Sequence, residues 1–551
     1  MVVESAPPLD LQIARELDAY ARPSERLLDI SDDGRAALIT TSGDVVEVRD
    51  GHRSTRIPGL WIAWAQFAGE GAIVATADHD GDEVFQLYRQ VSGGAPSIVG
   101  AGRHAGVIID RERHRLLWAS NERDGVDDDL WIAETEGIDP RPIYTGGGQW
   151  SPVAAAAGIV VAKKTVSSTS SVLYRIDAGN ATALTGPGAV GDAVIGPARE
   201  IYGVATNGGD HLGIYALPDR EALTPDLAWD VTAIAMSRDG RTIAFVANVD
   251  MRSVLYLLDP HTHRRWRAPN VPANGVIGDL AFAADANVLG FTYGDARHPR
   301  EVYRYDIDAG TFARWDVALT PELPDTLVDP SHVAIDVRSR GLRVPALVYK
   351  PHGGGRSPVV VEFHGGPEDQ WRPRYDGFTQ FLVARGYAIV QPNVRGSIGY
   401  GLAYARLDDG PGRIGVMDDV GAVLDWIATQ PDLDSRHVVV MGASYGGWVA
   451  LSAVATFGDR LRGCIDLVGI ADFVTFLPTT IAYRRAERRA EYGDERDPQV
   501  RERLTRLSPL SRVREIRRPL LVVQGARDPR VPVDGADRLV AAIRDAGQLV
   551  W

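Results

Sequence analysis

The chain has 551 residues, 45% of them apolar and 24% charged, which excludes a disordered, collagen-like or coiled-coil protein and suits two or more globular domains. Its 59 Lys and Arg against 73 Asp and Glu leave a net charge of −14, so nucleic acid, which needs a basic face, is not an expected partner. The single cysteine, Cys464, excludes an intramolecular disulfide framework and a thiolate zinc centre, and in its apolar run it reads as a small buried hydrophobe.

The N-terminus, MVVESAPPLDLQIARELDAY, lacks the basic and apolar regions of a signal peptide. No run of 18 apolar residues occurs, so no membrane-crossing helix and no membrane partner are expected, and the default location is the cytoplasm. Residues 1–23 read as an N-terminal helical segment.

From residue 24 to 318 the chain repeats. An apolar residue followed by an aromatic recurs as Leu87-Tyr88, Leu130-Trp131, Leu173-Tyr174, Ile214-Tyr215, Leu255-Tyr256 and Val302-Tyr303, with the aromatics 43, 43, 41, 41 and 47 residues apart. One step back lies Val45-Val46-Glu47-Val48, which makes seven units. In a second register, Ser31-Asp32-Asp33-Gly34-Arg35 matches Ser237-Arg238-Asp239-Gly240-Arg241, 206 residues on. Asp-Gly pairs suit tight turns, because glycine accepts positive φ. Each is followed by a strand-like apolar run. About four short strands in each unit of roughly 42 residues is the pattern of a β-propeller, here an all-β propeller of seven blades. A linker near 310–330 carries Pro321, Pro324 and Pro330, as domain boundaries do.

Beyond it, in a domain read as 319–551, strands alternate with helices. Strands are expected at 333–337, 344–349, 359–363, 387–391, 438–441, 464–468 and 520–523, and helices at 420–429 and 536–546. Continuous runs such as Val359-Val360-Val361 and Val438-Val439-Val440 suit a parallel-rich sheet covered on both faces. Gly353-Gly354-Gly355-Arg356 lacks the Lys-Ser/Thr of a phosphate loop and reads as a hairpin. No cofactor or metal site is expected.

Gly442-Ala443-Ser444-Tyr445-Gly446 lies between a strand and a helix, the context of a nucleophile elbow. The tight turn lifts the Ser444 hydroxyl to the carboxyl end of the sheet, at a helix N-terminus. His364-Gly365-Gly366-Pro367 follows another strand, where backbone amides can approach a developing oxyanion. Gly366 and Tyr445 are the expected donors, and His364 reads as a loop-holding residue. Gln524-Gly525-Ala526-Arg527-Asp528 follows a third strand. Asp528 is the expected acid of an α/β-hydrolase, in the chain order serine then acid. Asp534 and Asp537 read as helix-start residues.

With HGGP at 364–367, NVRGSIGYG at 393–401, DDVGAVLDWIATQ at 418–430, GASYGG at 442–447 and PLLVVQGARDPRVP at 519–532, the chain resembles the prolyl oligopeptidase family of serine peptidases. It is most similar to the acylaminoacyl-peptidase and dipeptidyl-peptidase-like members. The resemblance implies an α/β-hydrolase domain that cleaves short or N-acylated peptides through an acyl-enzyme on Ser444. It also implies a propeller that restricts access to a cavity between the domains.

One member of the triad is not found. The family's base is a histidine after the strand that follows the acid. Only 23 residues follow Asp528, and no histidine follows His437. His437 lies seven residues before Ser444 on the same strand, about 23 Å away at about 3.3 Å per residue, too far to act as base. The hydrolase domain is therefore expected to be cut at its last strand, leaving the 520–523 strand as an unprotected edge. A partial or truncated sequence of an active hydrolase is the expectation. An esterase on the same machinery, or a catalytically dead propeller–hydrolase binding protein, are the alternatives. Arg395 reads as a loop organiser. Arg484-Arg485-Ala486-Glu487-Arg488-Arg489 reads as a solvated helix face or, alternatively, as a lining of the substrate entrance, and Glu491 has no assigned role.

Overall fold

The computed structural model describes residues 11–551 apart from 33, 42–44, 51–52, 58–60, 69–71, 79–83, 92–96, 100–101, 137–138, 285–286, 316–322 and 338–340. Part of the expected N-terminal segment (1–10), Asp33 and residues 316–322 of the expected linker, with Pro321, lie outside the described residues. The chain forms two compact units. One is Pro23–Thr320 with Gly399–Leu402; the other is Met1–Arg22, Pro321–Ile398 and Ala403–Trp551.

The propeller unit contains seven four-stranded antiparallel sheets, each built from consecutive strands in the order 1-2-3-4. They cover residues 25–57, 61–98, 104–144, 149–183, 190–222, 231–267 and 276–314. The repeating aromatics all fall on the third strand of their blades, so the sequence period is the blade period. The second register is one turn built twice. Ser31 Oγ accepts from the Ala36 amide at 2.9 Å and Ser237 Oγ from the Thr242 amide at 3.0 Å. The Gly34 and Gly240 amides reach the Ser31 and Ser237 carbonyls, both at 2.9 Å. Positive φ at Gly34 (68°) and Gly240 (72°) lets the chain reverse there.

A lone blade cannot bury both faces, and each junction between blades holds its own apolar cluster. Phe245 and Tyr202 meet between blades five and six, for example, and Phe291 and Val246 between six and seven. Leu27, Ile39, Val288 and Val302 close the ring between blades one and seven. The Glu25 amide donates to the Arg300 carbonyl at 2.8 Å, and the Glu25 carboxylate accepts from the Val302 amide at 3.3 Å. Arg49 pairs with that carboxylate at 2.7 Å.

In the other unit, α1 (Leu11–Asp18) leads to Tyr20, whose ring packs on Phe381 and whose hydroxyl meets Thr326 at 2.8 Å. Seven strands form one sheet: β1 (Ser331–Val337), β2 (Leu342–Tyr349), β3 (Ser357–Phe363), β4 (Ala388–Pro392), β5 (Leu433–Ala443), β6 (Gly463–Leu467) and β7 (Leu520–Val523). Their order is β1-β2-β4-β3-β5-β6-β7. The pairs from β4 onward are parallel, and β1-β2 and β2-β4 are antiparallel. The Gly353–Gly355 segment is therefore not a hairpin, since β4 lies between the two strands it connects. Its three glycines all have positive φ and turn the chain over that intervening strand.

Helices cover the sheet: α2 (Gly377–Ala384), α3 (Val416–Thr429), α4 (Tyr445–Phe457), α5 (Phe473–Thr479), α6 (Arg485–Tyr492), α7 (Pro498–Leu507) and α8 (Asp534–Asp545). Every residue of α4 from Tyr445 to Ala455 is buried, which makes it the apolar centre of the unit. The expected edge at β7 is not bare. The Leu520 and Val522 amides donate to the Leu549 and Trp551 carbonyls at 3.1 and 3.0 Å, so the last residues run parallel to β7. Backbone groups at a sheet edge attract any extended partner, and here the chain's own residues supply it.

Candidate active site

The site is assembled from loops at the carboxyl ends of β3, β5 and β7. Ser444 joins β5 to α4 with φ 55° and ψ −117°, a conformation that costs a non-glycine residue about 1–3 kcal/mol. Two features hold it there. Its amide donates to the Leu467 carbonyl at the end of β6 at 2.9 Å, and its carbonyl accepts from the Trp448 amide at 3.1 Å. A Cβ at residue 446 would overlap the Phe363 carbonyl, and one at residue 442 would overlap the Gly446 carbonyl. Glycine at both positions lets the elbow close against β3. Ser444 is half-buried, and its hydroxyl has no hydrogen-bond partner among the described residues.

Gly365 packs beside this serine; a Cβ there would lie 3.6 Å from the Ser444 Cβ. The next residue, Gly366, has φ 125°, which only glycine tolerates readily. The backbone amides of Gly366 and Tyr445, the two expected oxyanion donors, have no acceptor among the described residues. Tyr445 is buried, and buried orphan amides are rare. His364 is 8% exposed. Its ring nitrogens meet the Gly365 carbonyl at 2.7 Å and Ser397 Oγ at 2.8 Å. Burial lowers its pKa. The ring fixes the loop and has no free nitrogen for a proton from Ser444. His437 is held by Asp434 at 2.7 Å near the other end of β5.

Asp528 lies in the loop after β7. The Val468 amide, just past β6, donates to the Val523 carbonyl at 2.7 Å, so the ends of β5, β6 and β7 are stitched in series. Asp528 Oδ1 accepts from the Arg530 and Val531 amides at 2.8 and 3.0 Å. One oxygen thus shapes the loop. Asp534 opens α8, as expected.

Sequence reasoning missed what lies behind Tyr445. Its hydroxyl donates to Asp408 Oδ2 at 2.8 Å. Arg413 donates to the same carboxylate at 2.9 Å and pairs with Glu491. The guanidinium lies over the rings of Tyr445 and Tyr492, 5.1 and 4.4 Å from their centroids. Asp408, Arg413, Tyr445 and Glu491 are each 2% exposed or less. Burial raises the Asp408 pKa to about 6 against the pull of Arg413. The opposing carboxylates push the Arg413 pKa well up despite its burial. Asp408, Asp409 and Glu491 bring carboxylate oxygens within 4.8 Å of one another, and the Arg413 guanidinium supplies the cation between Asp408 and Glu491. The role of Glu491, open in the sequence, is to hold Arg413.

Arg395 organises its loop, as expected. Its backbone amide and its guanidinium both donate to the fully buried Asp419 of α3, at 2.6 to 3.0 Å. The Arg484–Arg489 segment is only partly a solvated face. Arg488 is 8% exposed and reaches the Gly366 carbonyl at 3.4 Å. Cys464 is buried, and burial raises its thiol pKa well up. Among the described residues, no helix is long and apolar enough to cross a membrane.

The sheet's strand ends carry a strained serine, two unpaired amides and an aspartate, the arrangement of a nucleophile elbow. Residues 373–550 match the prolyl oligopeptidase family model, and the chain carries a domain of that family of serine peptidases. The dipeptidyl aminopeptidase BIII of Pseudoxanthomonas mexicana is 32% identical over 265 residues, 46% of this chain and 38% of that protein. The acylamino-acid-releasing enzyme of Mus musculus is 28% identical over 206 residues, 36% of this chain and 28% of that protein. The chain thus spans less than half the length of these curated relatives. A puromycin-hydrolyzing peptidase of Mycobacterium tuberculosis shares the fold, with a TM-score of 0.82 at 18% identity. That match covers 98% of this chain and 91% of the other.

Proposed function

We propose that this chain is a serine-type peptidase that hydrolyses short or N-acylated peptides through an acyl-enzyme on Ser444. Ser444 Oγ attacks the scissile carbonyl carbon and passes its proton to a general base. The carbonyl oxygen, now negative, lies between the Gly366 and Tyr445 amides. The C–N bond breaks as the base returns the proton to the leaving amine, and water then hydrolyses the serine ester by the same path. Asp528 orients the base, its Oδ2 being the oxygen not used by the loop amides. Neither His364 nor His437 has the position of that base, which the family resemblance puts after Asp528, where these 551 residues hold no histidine. The propeller at 24–318, the peptidase domain at 319–551 and a cytoplasmic location belong to the same proposal.

The observation that carries the reading is the strained Ser444 with its free hydroxyl beside the unpaired Tyr445 amide. The test compares native protein with its Ser444→Ala variant on N-acetylated peptides, free peptides and the matching esters. Hydrolysis of peptides, lost by at least about a thousandfold in the variant, is the expected result. Ester cleavage without peptide cleavage would make the protein an esterase. Equal rates for the two proteins would remove Ser444 from the chemistry.

A further inference from the structure

The arginines at the start of α6 break three electrostatic rules at once. Arg484 is the N-cap of α6 and Arg485 its first residue, where the helix dipole disfavours cations. Arg484 and Arg488 are four residues apart, so two like charges share one helix face. Arg484 is half-buried and has no acceptor for its guanidinium among the described residues. Desolvation and the neighbouring charges of Arg488 and Arg530 hold its pKa below the usual arginine range. Local rules are broken together in this way mainly at functional sites.

The cluster also has a defined place. The Ile481 amide donates to the Pro529 carbonyl at 3.0 Å, and Thr480 Oγ1 donates to the Arg530 carbonyl at 2.7 Å. The turn bearing Arg484 is thereby tied to the loop of Asp528. Arg488 reaches the carbonyl of Gly366, whose neighbour Gly365 touches Ser444. Arg488 has carboxylate neighbours, Glu487 at 3.5 Å and Glu368 at 4.0 Å, whereas Arg484 has a cation to spare. In a chain of net charge −14, the segment that carries these arginines is bonded to both the acid loop and the oxyanion loop.

We infer that Arg484, backed by Arg488, forms an anion subsite that selects peptide substrates carrying a carboxylate near the scissile bond. The carboxylate can be an acidic side chain or the free C-terminus, since either accepts two parallel N–H bonds from a guanidinium. The inference rests on the peptidase reading for its chemistry, but binding tests it separately.

The probes are four N-acetylated tripeptides ending in Glu or Gln, each as the free acid or the amide. Their affinity for the full-length Ser444→Ala protein is measured by calorimetry, and their kcat/KM with the unmutated protein. Peptides with a carboxylate are expected to bind about tenfold tighter or more than the Gln amide. In Arg484→Gln that ratio falls to near one, and in Arg484→Lys it is partly restored. A gain from Glu in the amides assigns the side chain as the source, and a gain confined to the free acids assigns the C-terminus. Equal affinity for all four peptides, or a ratio unchanged in Arg484→Gln, overturns the inference. A fluorophosphonate adduct on Ser444 without anionic preference would defeat this inference alone. Anionic preference without an adduct would defeat the peptidase reading alone.

Discussion

Tyr445 presents its backbone amide beside Ser444 while its side chain is anchored in the Asp408–Arg413–Glu491 group. A hydrogen bond to a charged partner contributes about 1.5–3 kcal/mol. Tyr445→Phe removes one such bond with little change of shape. The variant is expected to lose about that much stability in denaturant unfolding and to react more slowly with a fluorophosphonate. An unchanged reaction rate would mean that the amide is held by the backbone alone. Asp466, 2% exposed on β6, gives a pH test. Desolvation raises its pKa from 3.8 to about 7, with only the Gly469 amide opposing. A carboxyl that binds its proton more tightly when folded contributes stability below the lower value and loses it as pH rises through the upper one. Melting temperature should therefore fall between about pH 4 and 7 more steeply in the unmutated protein than in Asp466→Asn. Parallel curves would refute the burial argument. Neither group was legible in the sequence. Tyr445 and Asp408 are 37 residues apart, and Arg413 and Glu491 78 apart, with no periodicity or motif linking them. Ser444, by contrast, could be read directly, because an elbow needs its small residues next to the nucleophile in the chain.

At the scale of the element, the elbow is a packing problem solved with glycine. Gly446→Ala would drive a methyl into the Phe363 carbonyl of β3. Because backbone cannot move aside cheaply, a loss of about 3 kcal/mol or more is expected, with loss of the probe reaction. Gly458 is the control. It lies at the end of α4 with helical φ of −51°, and nothing lies within 4 Å of its missing Cβ. Gly458→Ala should stabilise the protein by about 0.4–1 kcal/mol through the unfolded state. Chemical denaturation of the two variants reads both signs, and a destabilised Gly458→Ala would contradict the geometry. Strand positions were legible because buried runs are continuous in parallel sheets. Their ends were less so: β5 begins at Leu433, five residues before the expected strand, because Leu433 pairs with Ser357 where the apolar run has ended. Arg488 was misread in part, since a run of arginines carries no mark of which one turns inward.

At the scale of the whole molecule, the seven-fold repeat was the easiest feature to read, since each period builds one blade and, in blades two to seven, places the repeating aromatic on the third strand. Ring closure was not visible. No interval in the sequence says that Glu25 of blade one will bind Arg49 and the Val302 amide of blade seven. Removing one partner of a buried ion pair costs about 3–5 kcal/mol. Glu25→Ala should therefore speed hydrogen exchange in 25–57 and 276–314 more than in 149–183. Uniform acceleration across all blades would show that closure does not depend on this clamp.

The most direct test of the account is the reaction of native protein with a fluorophosphonate, read by intact mass and peptide mapping. A single adduct on Ser444, absent from Ser444→Ala, is expected. A folded native protein that takes up no probe would contradict it.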